Sequence, residues 1–209
     1  MSEFSIDTFP LAEVEKAALS DSLAVLDALM KRPDASLLHG FAICTDPDVT
    51  SAYWTAETVD QLNERGKELL DRNHKADPES TLDLETAIAV SRFEPADWPI
   101  HGQSGETLRL EGLNEALNQV WEVFEELPDS DEKILDHSPR TTRALLRAIG
   151  KGLITASKSL TRPRALDGQS MSLLVWENDP DHPDVVSEIA EQLNEEETFA
   201  AFSNPFGDE

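Results

Sequence analysis

Cysteine is nearly missing from this chain: Cys44 is the only one in 209 residues, so no internal disulfide can form. The five histidines, His39, His74, His101, His137 and His182, are scattered without a zinc-type pair. No metal and no other cofactor is therefore expected. No apolar run approaches the roughly 20 residues of a membrane-spanning helix. Residues 1–10 have neither the basic start nor the apolar core of a signal peptide. The expectation is a soluble, reduced, cytoplasmic protein that does not enter a membrane. Bases are scarce as well, with 17 Lys and Arg against 42 Asp and Glu and a formal charge of −25. Nucleic acid and anionic membranes would be repelled by most of such a surface, which excludes them as general partners. Neither a Gly-x-Gly-x-x-Gly phosphate cradle nor a Gly-x-Ser-x-Gly elbow occurs.

What is present suffices for one domain with its own core, 1–209, whose ends at 1–9 and 204–209 read as flexible. Leu11, Val14, Ala18, Leu26 and Leu29 recur at helical spacing and predict a helix over 10–32, ended by Pro33. The apolar run 37–44, the turn Asp46-Pro47-Asp48 and the run 51–55 predict a hairpin. Helical periodicity returns over 57–72, and a polar loop follows at 73–80. The run 86–90 reads as a third strand and 172–176 as a fourth, central one. Helices are predicted over 108–127, from Ser138-Pro139 with Ser138 as cap, over 183–193, and over 195–202. Single strands between helices, with one hairpin, predict an α+β fold: a small mixed or antiparallel sheet of about four strands with helices packed on it.

Charge is unevenly spread. Residues 139–166 hold seven bases and no acid, and residues 165–209 hold twelve acids and no base. At about 100° per residue, Arg140, Arg143, Arg147, Lys151 and Lys158 fall within an arc of roughly 80°. Leu145, Ile149, Leu153, Ala156 and Leu160 fall opposite, so one face is basic and the other apolar. Gly150 and Gly152 interrupt this helix and could bend it. The stripe is either a solvated face neutralised by the acidic tail of the same chain, or a surface that binds a partner or an anion.

Catalytic constellations are weak. Asp179-x-Asp181 superficially matches a calcium loop, but Pro183, Asp184 and Ala190 stand where such a loop needs other residues. Asp181 or His182 reads instead as the cap of a helix opened by Pro183, with Asp184 favouring its N-terminal dipole. Cys44 lies in an apolar run and reads as core. Trp54, Trp121 and Trp176 read as core too, whereas Trp98, set between Asp97 and Pro99, is the tryptophan placed to line a surface groove.

Four blocks carry a resemblance: Gly40-Phe41-Ala42-Ile43-Cys44-Thr45-Asp46, Thr55-Ala56-Glu57, Phe93-Glu94-Pro95-Ala96-Asp97-Trp98, and Leu173-Leu174-Val175-Trp176-Glu177-Asn178-Asp179. In order and spacing, over most of residues 35–203, they resemble a bacterial domain-of-unknown-function family, number 4303. Proteins of that type look like the small domains that accompany bacterial toxins as immunity proteins. The resemblance thus implies a protein partner, a cognate toxin, while the family has no established chemistry; the absence of a catalytic constellation leans the reading toward a non-enzymatic module. Beside it stand two other classes. One is an enzyme or binding protein for an anionic small molecule using the 140–158 stripe. The other is a self-assembling acidic protein, a homo-oligomer whose basic helix meets the acidic tail of another copy.

Overall fold

The computed structural model describes residues 4–101, 108–128, 130, 133–166, 168–179 and 181–204. Its helices are α1 (Leu11–Leu29), α2 (Val59–Ala76), α3 (Leu84–Ser91), α4 (Glu111–Glu125), α5 (Ser138–Ser157), α6 (Pro183–Leu193) and α7 (Glu196–Ser203). The strands are β1 (Leu38–Thr45), β2 (Ala52–Thr58), β3 (Ile100–His101) and β4 (Ser172–Glu177). They form one mixed sheet in the order β3-β2-β1-β4, as an α+β fold requires. β1 runs antiparallel to β2, with Ile43 opposite Trp54, and parallel to β4, with Ile43 opposite Val175.

Period-2 alternation sorts these strands into two faces. Phe41, Ile43, Trp54, Leu173 and Val175 enter a large core with α1, α4, α5 and α6. Ala42, Cys44 and Leu174 enter a smaller one with Phe93, Trp98 and Ala190, against which Phe199 and Phe202 of α7 pack. β4 is an edge strand, not the central one expected. Leu173, Leu174 and Val175 are nonetheless fully buried, because helix α6 packs along the strand. Where β4 has no outer neighbour, and where β2 runs past the short β3, an asparagine amide supplies the donor and acceptor of a missing strand residue. Asn194 accepts from Leu173 N–H at 2.8 Å and donates to its carbonyl at 2.8 Å, and Asn114 does the same for Ala52 at 2.7 and 2.9 Å.

The third predicted strand, 86–90, is helix α3. Asp83 caps it by accepting from Thr86 N–H at 2.8 Å, and Ile88 packs onto Gly66 of α2 so closely that a Cβ at Gly66 would lie 2.5 Å from it. Helix α5 starts at Ser138 with Pro139 in its first turn, but Ser138 is not a cap: a π-helical turn, Lys133–His137, feeds directly into the helix. His182 occupies the cap position of α6, yet its side chain makes no capping bond there. Of the ends read as flexible, residues 4–9 are packed, with Phe9 buried and Phe4 stacked on His137 at 3.9 Å. Residues 1–3 and 205–209 lie outside the described residues.

Candidate functional site

Helix α5 puts the predicted basic stripe on one face and turns Leu145, Ile149, Leu153 and Ala156 into the core. Its glycines do not break it; they let other helices approach. A Cβ on Gly152 would lie 2.5 Å from the Glu15 carbonyl of α1, and one on Gly150 2.9 Å from Ile189 of α6. That close crossing aligns α6 with the stripe. Arg143 reaches Asp184 with both terminal nitrogens, one at 3.0 Å, and Arg147 reaches Glu188 at 2.8 Å. Acids one turn apart on α6 thus meet bases one turn apart on α5. The hydrogen bonds from Arg143 hold the Asp184 carboxyl below the usual range. Arg140 pairs with Asp136 at 3.3 Å. Lys151 and Lys158 are exposed and make no ion pair among the described residues. The arginines of the stripe are therefore neutralised by carboxylates of the same chain, and among the described residues only its two lysines are left unpaired.

Trp98 does not line a surface groove. It is fully buried, with its ring lying over Gly40, where a Cβ would stand 2.4 Å from the ring, and edge-on to His39 at 5.6 Å. A tryptophan in a proline-bracketed segment is buried here because β1 offers a residue with no side chain. Trp121 and Trp176 are only half-buried, and Trp54 is buried.

Two buried carboxylate–imidazole pairs were not anticipated. Glu57, with no exposed surface, takes Arg65 Nε at 2.6 Å and Nη2 at 3.2 Å, and His39 Nε2 at 2.9 Å. Arg65 also donates to the Ser91 carbonyl, so this cluster ties α2 and the end of α3 to the sheet. Burial pushes the His39 imidazole below its usual pKa, against the pull of Glu57. At the far end of the sheet, Glu177 accepts from His182 N–H at 2.8 Å and pairs with its Nδ1 at 2.9 Å. The signal for both was present in the sequence: an acid or histidine inside, or closing, an apolar strand. Neither histidine hydrogen-bonds to a serine, threonine or cysteine among the described contacts. Burial pushes the Cys44 thiol up to about 11, despite its contact with Thr55 at 3.6 Å. The sulfur is thus protonated at neutral pH, as fits a core residue. Among the described residues no group of three or more His, Cys, Asp or Glu side chains is arranged to hold a metal ion.

A row of unpaired carboxylates lies on α4. Glu111, Glu115, Glu122 and Glu126, the last at the helix cap, span an arc of about 60° at 100° per residue. All four are exposed, and none has an ion-pair partner among the described residues. Leu113, Leu117, Val120 and Phe124 occupy the opposite side and seat the helix in the core. Several open cavities mark the described surface. One of about 730 Å³ lies against β2 at Tyr53, Trp54 and Asn114, one of about 510 Å³ lies between α2 and Glu94, and one of about 450 Å³ lies at Arg162 and Asn194. No helix among the described residues is long and apolar enough to cross a membrane. No family model, curated protein or solved structure matches the chain.

Proposed function

We propose that this protein is a non-enzymatic binding module of immunity or inhibitor type that occludes a basic surface on a protein partner. The observation that carries this reading is the asymmetry of pairing. Arg140, Arg143, Arg147 and Arg164 are each matched to a carboxylate of the same chain, whereas the α4 row stands free. Four like charges on one rigid face gain little from one another and much from a cationic partner, whose approach they accelerate. A basic cleft that receives phosphates is a natural target, because carboxylates can occupy the same positions. The resemblance to family number 4303 adds a cognate toxin as the identity of that partner. The test is to combine the protein with the product of an adjacent toxin-like gene and to follow association at low and high salt. The double variant Glu115→Lys and Glu122→Lys should keep the fold and slow association at low salt on the order of tenfold. Equal rates for both proteins, or no complex at either salt, would remove the reading.

A further inference from the structure

Arg162 differs from the other arginines of the basic segment. Arg140, Arg143, Arg147 and Arg164 each meet a carboxylate, but Arg162 has none within ion-pair distance among the described residues. Its one hydrogen bond runs from Nη2 to the carbonyl of Leu193, the last residue of α6, at 2.6 Å. That bond fixes the guanidinium at a helix C-terminus, where a cation is favoured, and leaves its remaining N–H groups uncommitted. The side chain is half-buried, and burial lowers its pKa against the opposing charge of Glu195. A protein with 25 surplus negative charges thus holds one poorly hydrated cation without a counterion in contact.

The acid that could have served is already engaged. Glu195 Oε1 accepts from Arg164 Nη2 and from Ser170 Oγ, both at 2.7 Å, and Arg164 Nη1 donates to the Gly168 carbonyl at 2.9 Å. Asn194 is likewise committed to the edge of β4. Arg162, Arg164, Ser170, Asn194 and Glu195 line an open cavity of about 450 Å³, with Leu160 and Leu193 as apolar wall. Two arginines against one glutamate make its lining net positive. The volume falls in the range of small-molecule sites, about 300–1,000 Å³, and exceeds what a bare ion needs.

We infer that this cavity binds the carboxylate of a small organic acid, with Arg162 as the residue that takes it. A guanidinium presents two parallel N–H donors that match the two oxygens of a carboxylate. The apolar wall of Leu160 and Leu193 favours a carboxylate that carries an alkyl tail over an inorganic phosphate, which has only polar surface to offer it. The site is separate from the α4 row and stands whether or not that row meets a partner.

The probes are butyrate and inorganic phosphate, titrated into the whole protein at constant ionic strength made up with chloride and followed by amide chemical shifts. Butyrate should move the amides of residues 161–164, 170 and 193–195 saturably, with a Kd on the order of millimolar. Arg162→Gln should abolish the response, and Arg147→Gln should leave it unchanged. Arg162→Lys retains the charge and a donor for Leu193 but loses the fork, so it should fold and bind about tenfold more weakly. Should Arg162→Gln not fold, Arg162→Lys decides. A response without saturation, the same response in the Arg162 variants, or tighter binding of phosphate than of butyrate would overturn the assignment.

Discussion

At position 40 the missing side chain is what admits Trp98, whose ring occupies the space that a Cβ would need. The ring fills the smaller core beside Ala42, Cys44, Phe93 and Leu174, while its Nε1–H is buried without a partner among the described residues. Two effects therefore oppose each other in one residue: a large burial of apolar surface and an unmet donor. Trp98→Ala should lower stability by about 3–5 kcal/mol, the range for emptying a buried aromatic site. Trp98→Phe removes volume together with the orphaned donor and should cost well under half of that. Urea unfolding of the two variants measures the difference, and equal losses would show that the donor is satisfied. The sequence marked Trp98 as unusual but put it at the surface, because prolines on both sides read as loop and loops run outside. Its burial depends on Gly40, nearly sixty positions away, and no local pattern carries that pairing. Glu57 and His39 were open to reading, since ionisable groups in apolar runs need partners; which partner, Arg65, depends on how α2 folds back.

Among the elements, those with a strong period were readable and those without one were not. α1, α4, α5 and α6 follow from apolar spacing, and the hairpin of β1 and β2 from an apolar run and a second short run on either side of a proline turn. A run of five small and branched residues at 86–90 is too short for its period to separate strand from helix, and the Asp83 cap was the overlooked sign. β4 looks central from its composition because helix packing, and not a neighbouring strand, buries it. The face of α5 was likewise visible in the sequence, but its counterpart was not, since the match of Arg143 with Asp184 and of Arg147 with Glu188 exists only once α6 crosses α5. Exposed pairs of this kind contribute about 0.2–1 kcal/mol each. Replacing both arginines by glutamate loses two pairs and adds repulsion, and should destabilise by about 1–2 kcal/mol with the fold retained. Adding Asp184→Arg and Glu188→Arg to that variant should restore most of the loss. Failure of the fourfold variant to recover in chemical denaturation would mean that the arginines act through their packing on α6.

For the molecule as a whole, acidity and burial make opposite demands as pH changes. Protonating surface carboxylates relieves self-repulsion, but this begins only near their ordinary range, around pH 4–5. Between pH 7 and 5.5 the excess charge is nearly constant, and buried groups decide. His39 lies between Glu57, Arg65 and Arg92, and burial keeps its folded-state pKa below the value of about 6.5 that it has when unfolded. Above that value both states hold the imidazole neutral and its contribution is complete. As pH falls through 6.5 the unfolded chain takes a proton that the folded one refuses, so stability declines toward the folded pKa, by at most about 1.4 kcal/mol per pH unit. Urea midpoints should therefore drop from pH 7 to 5.5. In His39→Gln, which keeps a side-chain donor for Glu57 but cannot titrate, the midpoint should vary less over that interval even if it starts lower. The same slope in both proteins would show that His39 does not carry the decline.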